Sequence, residues 1–194
     1  MKKFLILVFA LIISASLTRA QQGNILVGAT SNIGDQPIIF WGLTPTVGYF
    51  ITDNLCVGLG LNSSSSSSEP QQNYNVESDS LTLSPYVRYY MNDNPMFFHA
   101  GISMGSSKNI DDDNNFNFKN EVTSSTFGMN IGVGYSLNWG KHFVFEPMLG
   151  LSTTSGSTTI KTTNNNVVTE QDTDAPSNTN IGISLGISFI LGND

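Results

Sequence analysis

One cysteine, two histidines, eight basic side chains and 12% charged residues are all that 194 residues contain. Each shortage excludes a class of protein. Cys56, as the only thiol, cannot close an internal disulfide. Eight lysines and arginines against fifteen acids, a formal net charge of −7, rule out the basic footprint that nucleic-acid binding requires. Beyond the first twenty residues no apolar run approaches the length of a transmembrane helix. If this chain crosses a membrane, it does so as a closed β-barrel, the other structure that satisfies every backbone polar group in lipid.

The N-terminus reads as an export signal. Lys2 and Lys3 precede an apolar core from Phe4 to Ile13, and Thr18-Arg19-Ala20 is an acceptable cleavage site. The expected organisation is a signal peptide over 1–20 and one barrel domain over 21–194. Cleavage removes Lys2, Lys3 and Arg19, leaving five of the eight basic residues against fifteen acids.

What the chain does have is a period of two. In its last segment Ile181, Ile183, Leu185, Ile187, Phe189 and Leu191 share one face, while Asn180, Gly182, Ser184, Gly186 and Ser188 take the other. That is a strand with one oily side. Similar segments lie near 24–31, 40–50, 55–62, 80–91, 96–106, 125–137 and 142–154, which gives eight strands. Most match the roughly 9–11 residues of a tilted membrane strand. A soluble eight-stranded barrel shares this period but hydrates its exterior with charge. Here the strands carry almost none except Arg88 and Glu146, so the membrane barrel is preferred.

Connections alternate in length. Tight turns fall at 52–54, 92–95 and 138–141, and polar loops are expected over 32–39, 63–79, 107–124 and 155–178. Outer-membrane barrels have this asymmetry, with short periplasmic turns and long external loops, and an even strand number puts both termini in the periplasm. Aromatics crowd the short-turn rim, among them Tyr49, Phe50, Tyr89, Tyr90, Phe97, Phe98, Trp139 and Phe143; Trp41 and Phe127 sit toward the loops. They read as interfacial girdles. Pro45, Pro85 and Pro147 interrupt strands and predict bulges or local breaks.

The stretch Thr44-Pro45-Thr46-Val47-Gly48-Tyr49-Phe50-Ile51-Thr52-Asp53-Asn54-Leu55 resembles a hallmark of small bacterial outer-membrane β-barrel domain proteins. So do Ser84-Pro85-Tyr86-Val87-Arg88-Tyr89-Tyr90 and Phe145-Glu146-Pro147. The resemblance covers the mature chain and implies the membrane domain of OmpA-type or porin-family barrels, without a peptidoglycan-binding domain.

Candidate chemistry is sparse. Arg88 and Glu146 share the lumen-facing phase and similar heights above their turns, and His99 points the same way. They predict a lumen polar layer of Arg88, Glu146, His99, Tyr86 and Tyr90, either a structural plug or a gate. Pairing is favoured because either charge buried alone would be costly. Asp111-Asp112-Asp113-Asn114-Asn115 lacks the alternating ligands and central Gly of a calcium loop and reads as a solvated acidic segment. No cofactor or metal is expected. A lipid-modifying enzyme needs a grouped nucleophile, His and acid; His99 and His142 show no such grouping in sequence.

The expected protein is thus an all-β, eight-stranded antiparallel up-and-down transmembrane barrel in the outer membrane. Its role is expected to be non-enzymatic, structural or adhesive through its loops, with a narrow pore as the alternative and a lipid-A-modifying enzyme behind both. Its expected partners are outer-membrane lipids, the barrel-assembly machinery and a surface partner met by the loops, with the chain itself monomeric.

Overall fold

A computed structural model describes residues 22–31, 43–92, 94–140, 142–165 and 167–192. The expected signal peptide, the loop at 32–39 and Trp41 lie outside the described residues. The strands are β1 (Ile25–Ser31), β2 (Leu43–Phe50), β3 (Leu55–Gln71), β4 (Tyr74–Tyr90), β5 (Met96–Asp113), β6 (Phe118–Tyr135), β7 (Leu137–Trp139), β8 (Phe143–Asn164) and β9 (Val167–Leu191). All pairings are antiparallel, and β1 bonds to both β2 and β9, which closes the barrel. β6 and β7 both pair with β8 and form one stave interrupted at Ser136. The Ser136 N–H donates to the Pro95 carbonyl at 2.7 Å. Eight staves result.

The period of two becomes an inside and an outside. Val47, Tyr49, Val57, Leu59, Val87, Tyr89, Phe98, Ile131, Leu149 and Ile183 all face outward and are exposed. Leu26, Phe50, Cys56, Phe97, Val144 and Ile190 face inward and are buried. An apolar surface encircling the whole barrel is far larger than a soluble monomer tolerates.

Three prolines sit where a ladder lapses, without any slip of register. β4–β5 pairing stops at Leu83↔Met104 and resumes at Tyr86↔Gly101, leaving Pro85 unpaired on that side. β2–β3 pairing begins only at Thr46, one residue beyond Pro45. Pro147 faces the gap between β6 and β7. In each case the missing N–H meets no ladder partner, so a bulge is not needed. The register shifts that do occur lie higher, between Ser68 and Gln71 beside Pro70, and between Thr154 and Gly156 opposite Pro176.

The expected loops at 63–79, 107–124 and 155–178 are instead tall hairpins that continue the barrel strands. Their alternation is Ser, Thr and Asn on both faces, which leaves no apolar contrast to reveal a strand. Backbone pairing carries them to tips where Asn73, Asn117 and Asn165 adopt positive φ, a conformation Asn tolerates better than most residues. Adjacent tips are tied together: the Asn114 N–H donates to Asn73 O at 2.9 Å and the Asn165 N–H to Asn117 O at 3.1 Å.

Candidate functional site: a polar layer across the lumen

β4 and β8 lie three staves apart around the barrel, separated by β5 and β6, and the inward phase of each delivers one charge. Arg88 Nη1 donates to Glu146 Oε2 at 2.6 Å, and both side chains are buried. Tyr90, two residues along β4 on the same face, donates its hydroxyl to Glu146 Oε1 at 2.8 Å. Both carboxylate oxygens are therefore engaged. Arg88 Nε donates to His99 Nδ1 at 3.3 Å across the β4–β5 ladder, where the two residues are register partners. His99 Nε2 lies 2.7 Å from Asn130 Oδ1. With Nδ1 accepting from Arg88, Nε2 carries the proton and donates to Asn130.

Two aromatic rings pack against the guanidinium. It lies 4.8 Å from the centroid of Tyr86 and 5.2 Å from that of Phe97. Tyr86 stacks on His99 at 5.5 Å, and Tyr90 sits between Phe50 at 5.4 Å and Phe97 at 5.3 Å. These rings fit because glycine opposes them. A Cβ at Gly58 would overlap the Tyr86 ring, and one at Gly134 would overlap Phe97. The layer is thus an ion pair jacketed in aromatic surface, the setting in which removing one partner is expensive.

All five residues singled out from sequence, Arg88, Glu146, His99, Tyr86 and Tyr90, meet in this layer. Phe97 and Asn130 complete it, and the sequence reading does not include them. Phe50 and Phe97, expected in the rim girdle, turn inward beside Tyr90, while Tyr49, Tyr89, Phe98 and Trp139 point outward. Adjacent strand residues take opposite faces, so the pairs Tyr49-Phe50, Tyr89-Tyr90 and Phe97-Phe98 each had to send one ring inside. That parity was the available signal.

The layer divides the lumen. Above it, toward the tall hairpins, a cavity of about 370 Å³ has Arg88, His99 and Tyr86 in its wall. Below it, toward the short turns, a cavity of about 60 Å³ is lined by Glu146, Tyr90, Phe50, Asp53 and Asn54. Among the described residues the two share no lining residue. Beneath the layer Leu26, Phe50, Cys56, Val144 and Ile190 form the apolar cluster that fills the barrel floor. His142 lies at that lower rim with Nδ1 3.1 Å from the Ile190 carbonyl, and among its described hydrogen bonds none reaches an acid. No group of metal-ligating side chains occurs among the described residues. The acids at 111–113 are the last three residues of β5, and Asp113 Oδ1 accepts from the N–H of Asn115 in the turn beyond at 3.0 Å.

Residues 18–193 match the family described as the autotransporter beta-domain. Among solved structures, the outer membrane protein AlkL in DMPC lipid bilayers is similar at 15% identity and a TM-score of 0.47. That match covers 91% of this chain and 94% of AlkL. CarO of Acinetobacter baumannii is similar at 11% identity and a TM-score of 0.43, over 88% of this chain and 98% of its own. No curated protein matches.

Proposed function

This chain belongs to the autotransporter β-domain family and is an outer-membrane β-barrel; from that premise we propose that it is a plugged, non-enzymatic barrel that acts through its tall hairpins at the cell surface. The observation that carries this reading is the continuous layer of Arg88, Glu146, Tyr90 and Phe97 between two cavities with no common wall. Eight staves leave little room inside, and here an apolar cluster occupies the lower half and leaves a cavity of only about 60 Å³ there. The hairpins β3–β4, β5–β6 and β8–β9 supply the surface that remains for contact with a partner. Both described ends of the chain reach the short-turn rim, with the Gln22 N–H donating to Asp53 and the Ile190 N–H to His142. In the orientation proposed, that rim faces the periplasm.

A narrow pore is the second reading, and one feature favours it. The barrier consists of side chains, Arg88, Glu146, Tyr90 and Phe97, rather than of backbone, so a path would need only their rotation. Conductance of the refolded protein in planar bilayers decides between them. Wild type is expected to be silent. Steady wild-type channels whose conductance changes in Glu146→Ala would assign the lumen, not the hairpins, as the working part.

A further inference from the structure

The buried ion pair is oriented. Its cationic end, Arg88, lines the upper cavity, whereas its anionic end, Glu146, lines the lower one. Among the described residues no acid lines the upper cavity, and its walls are hydroxyls and amides such as Thr46, Thr126, Ser152, Asn130 and Asn180. A volume of about 370 Å³ falls at the small end of the roughly 300–1,000 Å³ typical of small-molecule sites. Guanidinium offers five N–H donors in a planar fork, of which Glu146 and His99 each take one. That geometry suits a carboxylate, and the surrounding hydroxyls suit an oxygen-rich body. Because Glu146 already neutralises much of the arginine's charge, the site favours a monoanion over a dianion.

We propose that the cavity above the polar layer is a binding site for a small hydroxylated carboxylate of sugar-acid size, its carboxylate on Arg88 and its hydroxyls on the Ser, Thr and Asn wall. The site rests on the plugged-barrel reading only in that the layer keeps Glu146 out of the cavity. Nothing in it requires the ligand to pass through.

Calorimetric titration of the refolded full-length barrel in detergent tests this, with sodium gluconate as probe. Glucose supplies hydroxyls without a carboxylate, and hexanoate a carboxylate without hydroxyls. Saturable gluconate binding is expected, about tenfold or more tighter than either control. It should vanish in the double variant Arg88→Gln/Glu146→Gln, which removes both charges and leaves neither stranded, and should weaken in Thr126→Val. Heat-modifiable migration on gels establishes that each variant is folded. No saturable gluconate binding at millimolar concentrations overturns the proposal, as does binding that the folded double variant retains. Glucose binding as tightly as gluconate overturns the role of Arg88. Bilayer currents from wild type would sink the plug reading while leaving this titration to judge the site.

Discussion

At the scale of single residues, Arg88 and Glu146 were legible because strand parity and distance from the turns fix phase and height. What parity could not give was the company they keep. Phe97 and Asn130 reach the layer only because β5 and β6 are brought beside β4 in one register, with Arg88 opposite His99 and Gly101 opposite Asn130. Glu146→Ala strands a buried guanidinium and is expected to lower stability by about 3–5 kcal/mol. Arg88→Met/Glu146→Leu is expected to lose less than that single substitution, because no unpaired charge remains. Urea unfolding midpoints in detergent read both. A different ion pair lies on the hairpins: Lys108 Nζ is 2.9 Å from Glu121 Oε1, and its hydrogen bond holds the Glu121 carboxyl below its ordinary value. A lowered folded-state value means stabilisation that is present above the ordinary carboxylate range and is lost as the pH falls through the folded value. Lys108→Met is expected to raise the Glu121 titration, followed by NMR of its side-chain carboxyl. Its unfolding midpoint at neutral pH should barely move, since the pair is exposed and screened.

At the scale of elements, the lower half of each strand announced itself and the upper half did not. Lipid-facing positions must be apolar, so below the rim the alternation is sharp. Above it both faces meet water, and the Ser63–Ser68 tract in β3 satisfies its backbone by pairing with β4 while its side chains carry no pattern. Prolines were legible as interruptions, but only the paired registers show that they coincide with gaps rather than bulges. Close contacts between staves are set by glycine. Gly134→Ala is expected to destabilise the barrel by roughly 1–3 kcal/mol through overlap with the Phe97 ring. Phe97→Leu in the same chain is expected to recover part of that loss, and a double-mutant cycle of unfolding free energies measures the coupling.

At the scale of the whole molecule, the described residues form an exterior apolar belt and an interior stack of floor, polar layer and upper cavity. The belt makes a specific demand. Ile131 is exposed within the outward apolar run Phe127, Met129, Ile131 and Val133 of β6, so Ile131→Arg is expected to cost about 2–4 kcal/mol when the barrel is folded into lipid vesicles. A much smaller loss, read by reversible urea unfolding, would mean that this band does not lie at the membrane midplane. The acidic excess resides on the hairpins, where Asp79, Asp111, Asp112, Asp113, Glu121, Glu170, Asp172 and Asp174 all occur beyond the apolar belt.

Sequence alone determined the architecture: eight staves, one oily face, three tight turns, and two opposite charges sharing the lumen. It could do so because lipid imposes an outward apolar phase that a strand repeats every second residue. Only the tertiary structure decided that the expected loops are hairpins and that the rings of Phe50 and Phe97 pack against Tyr90 rather than at the rim. It also decided that the ion pair separates two cavities with its cation facing one and its anion the other. Those outcomes depend on register between staves far apart in the chain, and closure of the barrel, rather than any local pattern, sets that register.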